Sequence, residues 1–352
     1  MLRDLLIYMS QNQLMRRISM SAPGARTVAR RFVAGESLDD GIAAVRRLCD
    51  AGYFATLDYL GESVASRDEA RAAADMYLRM LERLATETLA SGEPLKSRAN
   101  VSLKLTQMGQ DIRAQGTTAP FPAQWPRPAK GMTPDEPGPF DNEFLRTNVG
   151  RIVDRARALD MMVRFDMEDR FHVNRTLDFV QSLWNEGYRN IGIVLQSYMI
   201  RAEHDAHAAS AQGMRVRLCK GAYKEPEEVA FQDKADVDRN YVRVATELLR
   251  EGTYPGIATH DPAMIAAVQD FARTNGIDRA RYEFQMLYGV RRDLQQQLLA
   301  DGCNMRIYIP FGEAWYPYLM RRMAERPANT MFIVNAVLRE SPLGGLFGNG
   351  KK

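Results

Sequence analysis

The chain has 352 residues, of which 45% are hydrophobic and 26% charged, a composition that excludes a mainly disordered chain and a collagen-like fibre. Its three cysteines cannot all pair with one another, which excludes a disulfide scaffold and indicates a reducing compartment. The 47 basic and 44 acidic residues leave a net charge of +3, too small to require a nucleic-acid partner. No apolar run approaches the length of about 18 residues that a spanning helix needs, and no signal-peptide pattern opens the sequence. We therefore expect a cytoplasmic protein that is soluble or bound to the inner face of the cell membrane.

The first predicted element is a helical arm over residues 1–50. Its first 35 residues contain six arginines and a single acidic residue, Asp4, interleaved with apolar side chains. Such a segment is typical of helices that lie on an anionic membrane surface. The solvated face of an ordinary helix has the same pattern, so both interpretations stay open.

From residue 50 onward, short runs of β-branched and aromatic residues alternate with longer runs of helical period, which is typical of parallel βα units. The predicted strands are 55–60, 101–105, 162–166, 191–195, 215–219, 256–258, 282–285 and 305–309. The predicted helices include 66–90, 169–186, 236–251, 262–275 and 292–301. Eight such units over roughly 300 residues favour an α/β fold of the (β/α)8 TIM-like barrel type. No G-x-G-x-x-G motif follows a predicted strand, which counts against a Rossmann sheet. We predict the barrel over residues 51–340 and a flexible tail over 341–352.

One segment, residues 117–140, interrupts the alternation because it holds seven of the sixteen prolines. Proline removes a backbone donor and breaks both helices and sheet ladders, so the segment is predicted to be a loop insertion. It follows the second predicted strand and therefore leaves the C-terminal rim of the barrel. A lid over the site and a disordered surface insertion are both consistent with this position.

Polar residues interrupt the predicted strands near their C-terminal ends. A strand buried on both sides is normally a continuous apolar run, so each interruption costs desolvation free energy unless it has a partner or a ligand. Active sites of such barrels lie at the C-terminal ends of the strands, so we expect these side chains to converge on one site. A structural ion pair explains any one of them taken alone. The polar positions are Asp58, Glu62, Lys104, Asp166, Glu168, Gln196, Arg217, Lys220, Tyr223, Thr259, His260, Glu283, Gln285, Tyr288 and Tyr308.

Three chemistries fit these residues. Lys104 could form a Schiff base with a carbonyl substrate, which would make the protein a lyase. A divalent metal ion is the second candidate, bound by Asp166, Glu168, His260 and Glu283. The third is a planar polar cofactor, with Lys104 and the pair Arg321 and Arg322 left to bind a small anionic substrate. A non-catalytic barrel that binds membranes through residues 1–35 is a further alternative from another functional class.

Longer motifs add a family resemblance. They are YLGESV (59–64), VSLKLTQMG (101–109), VRFDMED (163–169), IGIVLQSYM (191–199), RLCKGAYKEP (217–226), ATHDP (258–262), YEFQMLYGV (282–290), RIYIPFG (306–312) and WYPYLMRRMAERPAN (315–329). In this order they resemble the proline dehydrogenase family, and within it the monofunctional bacterial type. Compared with that family, the insertion at 117–140 is longer than expected.

The resemblance implies a flavoenzyme on a distorted (β/α)8 barrel. Such an enzyme uses FAD to oxidise L-proline to pyrroline-5-carboxylate by hydride transfer, and it passes the electrons to a quinone. Because no aldehyde dehydrogenase domain follows the barrel, we expect the product to reach a separate pyrroline-5-carboxylate dehydrogenase. By resemblance, Arg217 lies beside the hydride-accepting ring nitrogen and Gln196 at the ring edge. The remaining cofactor contacts are implied to be Lys220, Gly221, Ala222, Thr259, His260, Gln285 and Glu325.

The same resemblance implies a substrate pocket. Lys104, Arg321 and Arg322 would bind the proline carboxylate. The pocket walls would be Asp166, Tyr223, Leu287 and Tyr308. Arg217, Asp166 and Tyr223 are the predicted catalytic residues, with Asp166 also orienting an arginine. The sequence identifies no base for the substrate amine.

Overall fold

The computed structural model describes residues 29–61, 64–114, 122–134 and 138–325, except for the side chains of 321–325. Within this part, eight parallel strands form a closed barrel in sequence order, with β8 hydrogen-bonded to β1. The strands are β1 (Phe54–Tyr59), β2 (Ala99–Leu103), β3 (Val163–Phe165), β4 (Ile191–Gln196), β5 (Arg215–Cys219), β6 (Gly256–Ala258), β7 (Glu283–Leu287) and β8 (Met305–Phe311). The predicted α/β (β/α)8 TIM-like barrel is confirmed. The tail at 341–352 and residues 1–28 of the predicted arm lie outside the described residues.

Helices separate the strands and pack around the barrel. They are α1 (Leu38–Asp50), α2 (Arg67–Thr86), α3 (Asn142–Ala158), α4 (Arg170–Asn185), α5 (Ala202–Ala211), α6 (Lys234–Glu251), α7 (Pro262–Thr274), α8 (Arg292–Ala300) and α9 (Trp315–Glu325). None of the helices in the described ranges is both long and apolar enough to cross a bilayer.

Capping residues determine where the helices begin. The Ser66 side chain accepts the backbone N–H of Glu69, while the Glu69 carboxylate accepts the backbone N–H of Ser66, a reciprocal capping box. Asp169, Asp233 and Asp261 cap α4, α6 and α7 in the same position with one carboxylate each. The predicted helices 66–90 and 169–186 start on these caps, one residue before the helical backbone begins.

Pairing between strands moves several predicted boundaries. β2 runs over Ala99–Leu103 instead of 101–105, because Ala99 is in register with Ala55 of β1. β7 runs over Glu283–Leu287 instead of 282–285, because Leu287 still pairs with Tyr308 of β8. Lys104 therefore follows its strand, at the C-terminal end of the barrel.

Helix α1, which falls in the predicted arm, packs directly on the barrel. Its buried residues Ile42, Val45 and Cys49 belong to the same apolar core as the strands. Gly41 lies so close to β8 that a Cβ there would be 3.1 Å from the Phe311 ring. A second, smaller apolar cluster joins Ala29 and Val33 to α9. The division of the chain at residue 50 stays a prediction.

The described part of the proline-rich insertion, residues 122–134, is anchored to the outside of the barrel. The Asp178 carboxylate of α4 accepts the backbone N–H groups of Gln124 and Trp125, at 2.8 Å each, and it also accepts Arg127. The buried Trp125 indole donates to Asp205 of α5 at 2.9 Å. The predicted loop is present, and its described residues 122–134 do not line the cavity at the barrel mouth. The role of the whole insertion stays a prediction.

Candidate active site

A cavity of about 1010 Å³ opens at the C-terminal ends of the strands. Every residue that the family resemblance assigns to the cofactor or the substrate, and whose side chain is described, lines this cavity. These residues are Lys104, Asp166, Gln196, Arg217, Lys220, Gly221, Ala222, Tyr223, Thr259, His260, Gln285, Leu287 and Tyr308. They come from seven of the eight strands or from the loops that follow them.

Three predicted site residues, Arg321, Arg322 and Glu325, belong to α9. The backbone positions of Arg321 and Arg322 come one helical turn after Tyr318, which lines the cavity. Their side chains and that of Glu62 lie outside the part of the chain that the structure describes. The roles of Arg321, Arg322 and Glu325 stay predictions.

Arg217 is a buried residue of the cavity lining. Alternate side chains of a barrel strand point to the axis, so Arg217 of β5 projects inward and is buried. Its Nη1 donates to Asp166 Oδ1 at 2.8 Å, and its Nε donates to Gln285 Oε1 at 2.6 Å. Nη2 lies 3.5 Å from the Thr56 hydroxyl of β1. Bonds to several strands hold the guanidinium plane in one orientation.

A deeper ionic layer orients Gln285. The Gln285 amide nitrogen donates to Glu283 Oε1 at 2.6 Å, so the amide oxygen must face Arg217. Glu283 itself forms an ion pair with Arg306 at 2.6 Å. Burial alone would raise the pKa of Glu283, but Arg306 reverses this effect and the pKa is lowered. Glu283 therefore supports the site from below and, contrary to its placement among the strand-end residues, does not line the cavity.

Asp166 is the most highly connected carboxylate of the site. It accepts the Ser102 hydroxyl at 2.6 Å and the Tyr308 hydroxyl at 2.7 Å, in addition to Arg217. Lys104 Nζ lies 3.4 Å from its second oxygen. Burial raises the pKa of Asp166, but the charges of Lys104 and Arg217 outweigh burial and lower it. Asp166 is therefore a carboxylate at neutral pH and fixes Arg217.

The loop after β5 forms one wall of the cavity. Gly221 has a φ of +112°, and a Cβ there would be 2.2 Å from the Tyr198 ring, so only glycine allows the backbone to lie this close. Lys220 Nζ bridges Asp238 at 2.6 Å and Asp261 at 2.9 Å. Glu225 accepts the backbone N–H of Arg170 at 2.9 Å, which ties the loop to the start of α4.

Two further predicted cofactor residues have fixed orientations. The Gln196 amide nitrogen donates to the Glu168 carbonyl oxygen at 2.8 Å. His260 Nε2 accepts the backbone N–H of Leu287 at 3.0 Å, so a neutral His260 carries its proton on Nδ1. The cavity volume is at the upper end of the 300 to 1,000 Å³ or so that ligand pockets usually occupy, which suits a large cofactor together with a small substrate.

The metal alternative does not fit this geometry, because its four candidate ligands have separate protein partners. Glu168 accepts the Thr106 hydroxyl at 2.7 Å, and the other three bind as described above. Among the described residues, donors with a spacing suitable for a metal lie on the flank of the barrel, where His207 of α5 faces Glu247 and Glu251 of α6.

Tyr288, another of the polar residues predicted near the strand ends, lies away from the cavity. Its hydroxyl accepts a hydrogen bond from Arg47 of α1 at 2.8 Å.

Several further residues line the cavity without a sequence signal that assigns them a role. Asp238 lies within α6, where the helical pattern gives no sign of a ligand site. Tyr198 and Tyr318 also line the cavity, and both stand within the motifs IGIVLQSYM and WYPYLMRRMAERPAN. Asp58 is among the polar residues predicted near the strand ends, and it lies at the cavity beside Lys104.

His172, in the first turn of α4, lies between two carboxylates. Nδ1 lies 2.8 Å from Asp169 Oδ1, and Nε2 lies 3.1 Å from Asp111 Oδ1. Burial alone would lower the pKa of His172, but the hydrogen bonds to the two carboxylates outweigh burial and raise it to about 10. A raised pKa stabilises the fold fully below the unfolded-state value, and this stabilisation is lost as the pH rises toward 10.

We therefore expect His172→Asn to destabilise the protein more at pH 6 than at pH 9.5. The difference between the two costs should be about 2 to 4 kcal/mol, and urea unfolding of both proteins at both pH values measures it. Because other groups titrate alike in both proteins, their contributions cancel. An equal cost at the two pH values would contradict a charged His172 in the folded state.

Comparison with known proteins adds family information to this geometry. The sequence profile described as "Proline dehydrogenase" matches residues 42–335. The chain is 33% identical over 338 residues to proline dehydrogenase 2 of Bacillus subtilis (strain 168), covering 96% of this chain and 99% of the relative. It is 37% identical over 313 residues to the proline dehydrogenase of Deinococcus radiodurans, covering 89% of this chain and 90% of the relative.

A solved structure shares the fold. The chain superposes on proline utilization A from Bdellovibrio bacteriovorus with a TM-score of 0.73 at 24% identity. The match covers 98% of this chain and 38% of that longer chain.

Proposed function

The chain belongs to the proline dehydrogenase family and is a proline-oxidising enzyme, and we propose that it oxidises L-proline to pyrroline-5-carboxylate by hydride transfer to bound FAD. The convergence of Arg217, Asp166 and Lys104 in one cavity carries the proposal. Asp166 forms ion pairs with both Arg217 and Lys104. Arg217 is the fixed cation proposed for the electron-accepting cofactor, and Lys104 is the cation proposed for a carboxylate substrate.

The described residues fit the proposed cofactor. FAD, when bound, would supply the two-electron acceptor for proline oxidation. Arg217 offers a buried positive charge that stabilises negative charge gained by an acceptor beside it. At Gly221 the loop after β5 lies close to Tyr198, and glycine adds no side chain to the cavity. The other proposed contacts are Gln196, Lys220, Ala222, Thr259, His260, Gln285 and Glu325.

The substrate part of the cavity suits a small zwitterion. Lys104 Nζ, with a 17% exposed side chain, can bind a carboxylate at the mouth. Leu287 and the Tyr308 ring offer walls for an apolar five-membered ring. We propose that Arg321 and Arg322 complete the carboxylate site. Holding the substrate in one orientation supplies much of the catalysis, since hydride departs only toward a correctly placed acceptor.

We also propose a cellular setting. A quinone would take the electrons, and a separate pyrroline-5-carboxylate dehydrogenase would take the product. The protein would lie in the cytoplasm or on the inner face of the cell membrane. The basic composition of residues 1–35 supports this setting, because clustered arginines are attracted to anionic lipid.

An absorption spectrum tests the cofactor and the substrate together. We expect the purified holoprotein to be yellow and its flavin absorbance to bleach when L-proline is added without oxygen. D-Proline is the control, because the reversed chirality directs the reacting C–H bond away from the acceptor once the carboxylate is bound. A colourless protein without flavin would refute the proposal.

A further inference from the structure

The proposed function leaves one proton without an acceptor. Proline is an ammonium at neutral pH, and its nitrogen needs a lone pair before the neighbouring carbon can release hydride. A general base must have its acceptor atom within reach of the substrate and a pKa near the working pH. The further inference rests on the proposed function and concerns this base.

Asp58 is the second carboxylate of the cavity. It is the second-last residue of β1, opposite Ser102 of β2, and is 1% exposed, yet it lines the cavity. Lys104 Nζ lies 3.4 Å from Asp58 Oδ1 and 3.4 Å from Asp166 Oδ2, so one ammonium serves two carboxylates. Among the described residues, Lys104 is the cation paired with Asp58, whereas Asp166 also has Arg217.

This asymmetry determines what happens when Lys104 binds a substrate. A carboxylate that engages Lys104 takes charge compensation away from both aspartates. Asp166 keeps the guanidinium of Arg217 and the Ser102 hydroxyl, so it stays ionised. Asp58 stays buried while the substrate carboxylate takes part of the positive charge of Lys104. Burial of a carboxylate whose charge is not compensated favours the protonated form.

We propose that Asp58 is the base that accepts the proton of the substrate ammonium, and that binding of the substrate carboxylate to Lys104 drives this transfer. In the step, the N–H bond breaks and its electron pair stays on nitrogen. The proton forms an O–H bond with the Asp58 carboxylate. No electron is transferred, and the neutral amine then has the lone pair that supports loss of hydride.

The surroundings of Asp58 agree with this role. The titratable groups that face it in the described structure are Lys104, Asp166, Tyr308 of β8 and Tyr77 of α2. Burial raises the pKa values of Tyr77 and Tyr308 well above their usual range, so both phenols stay neutral. Burial and the nearby charge of Asp166 also raise the pKa of Asp58 to about 6, against the lowering effects of Lys104 and of the Tyr308 hydroxyl.

Calorimetry with a substrate analogue tests the coupling without turnover. Tetrahydrofuran-2-carboxylate has the ring and carboxylate of proline but no ionisable amine, so any proton that Asp58 takes up must come from the buffer. Titrating it into the holoenzyme at pH 7.5, in buffers of different ionisation enthalpy, counts the protons. We expect an uptake of more than half a proton per ligand for the wild type. We expect almost none for Asp58→Asn, which should still bind the analogue.

Two variants act as controls. Asp58→Glu keeps a titratable carboxyl and should keep the uptake. Asp205→Asn makes the same chemical change at a buried aspartate outside the cavity and should leave the uptake at the wild-type value. Anaerobic flavin reduction by L-proline should slow by about 10²-fold or more in Asp58→Asn, the usual contribution of a general base. If Asp58→Asn fails to bind flavin, the wild type still tests the proposal, because binding of the analogue without proton uptake there overturns it.

The outcomes separate this inference from the proposed function. Binding of the analogue without proton uptake in the wild type overturns the role of Asp58 and leaves proline oxidation standing. Uptake that persists in Asp58→Asn assigns the proton to another group and also overturns it. Failure of the wild-type holoenzyme to bind the analogue, together with no bleaching by L-proline, overturns the proposed function itself.

Discussion

Replacing Arg217 by methionine is expected to lower kcat/KM for L-proline by about 10³-fold, which corresponds to about 4 kcal/mol of transition-state stabilisation. The substitution removes the buried cation beside the proposed electron acceptor, and it removes the donors to Asp166 and Gln285. The loss should appear mainly in kcat, because Lys104 still binds the substrate carboxylate. The flavin midpoint potential should also fall, since negative charge on the reduced cofactor loses its counter-charge.

Stopped-flow reduction and a redox titration measure these two effects. Arg215→Met is the matched control, because Arg215 lies on the same strand two residues earlier but is exposed to solvent. We expect it to leave both values unchanged. Arg217→Lys restores a charge without the planar hydrogen-bonding pattern, so its values should lie between those of the wild type and Arg217→Met. An Arg217→Met enzyme with bound flavin and near-normal kcat would show that Arg217 only supports the fold.

Replacing Lys104 by methionine is expected to lower kcat/KM by about 10²-fold, since a charge-assisted contact contributes about 1.5 to 3 kcal/mol. KM should rise, because the lost contact binds the substrate carboxylate before and during the reaction. The value of kcat should fall as well, because Asp58 loses the ammonium with which it is paired. Steady-state kinetics with an artificial electron acceptor gives both constants. Lys96→Met is the control. Lys96 lies shortly before β2, as Lys104 lies directly after it, but Lys96 donates to the Leu159 carbonyl oxygen and does not line the cavity.

The same lysine distinguishes the Schiff-base lyase from the oxidoreductase. Borohydride added during turnover should leave Lys104 unmodified in the wild type, as intact-mass spectrometry would show. A stable covalent adduct on Lys104 would favour the lyase. The two hypotheses also differ in what Lys104→Met does, because a lyase that loses its nucleophile loses kcat altogether.

The barrel could be predicted because each strand and helix is encoded locally. The alternation of periods identified all eight strands, and residues such as Ser66 and Asp169 mark where helices begin. The predicted ends of several strands differ from the observed ends, because hydrogen bonding to a neighbouring strand decides where a strand stops. Helices α3 and α5 are not among the named predicted helices, and the alanine-rich sequence of α5 has little contrast between its faces.

The site was partly predictable for a related reason. Polar residues inside apolar strands stand out, and the closure of the barrel brings their ends together. Contacts between distant segments leave no such sign. Trp125 bonds to Asp205, 80 residues later, so a proline-rich stretch that resembles a free loop is fixed to two helices. Likewise, the sequence gives Glu283 the appearance of a rim residue, whereas its ion pair with Arg306 places it in the deeper layer.

The charged barrel interior has a consequence for the response of the protein to heat. Barrels of this type usually fill the space around the axis with branched aliphatic side chains. In this chain the same space holds buried polar groups such as Arg164, Glu283 and Arg217. Ions become less strongly hydrated as the temperature rises, so the free-energy cost of keeping them out of water falls. The centre of this barrel should therefore lose less of its stability on warming than an aliphatic centre of equal volume.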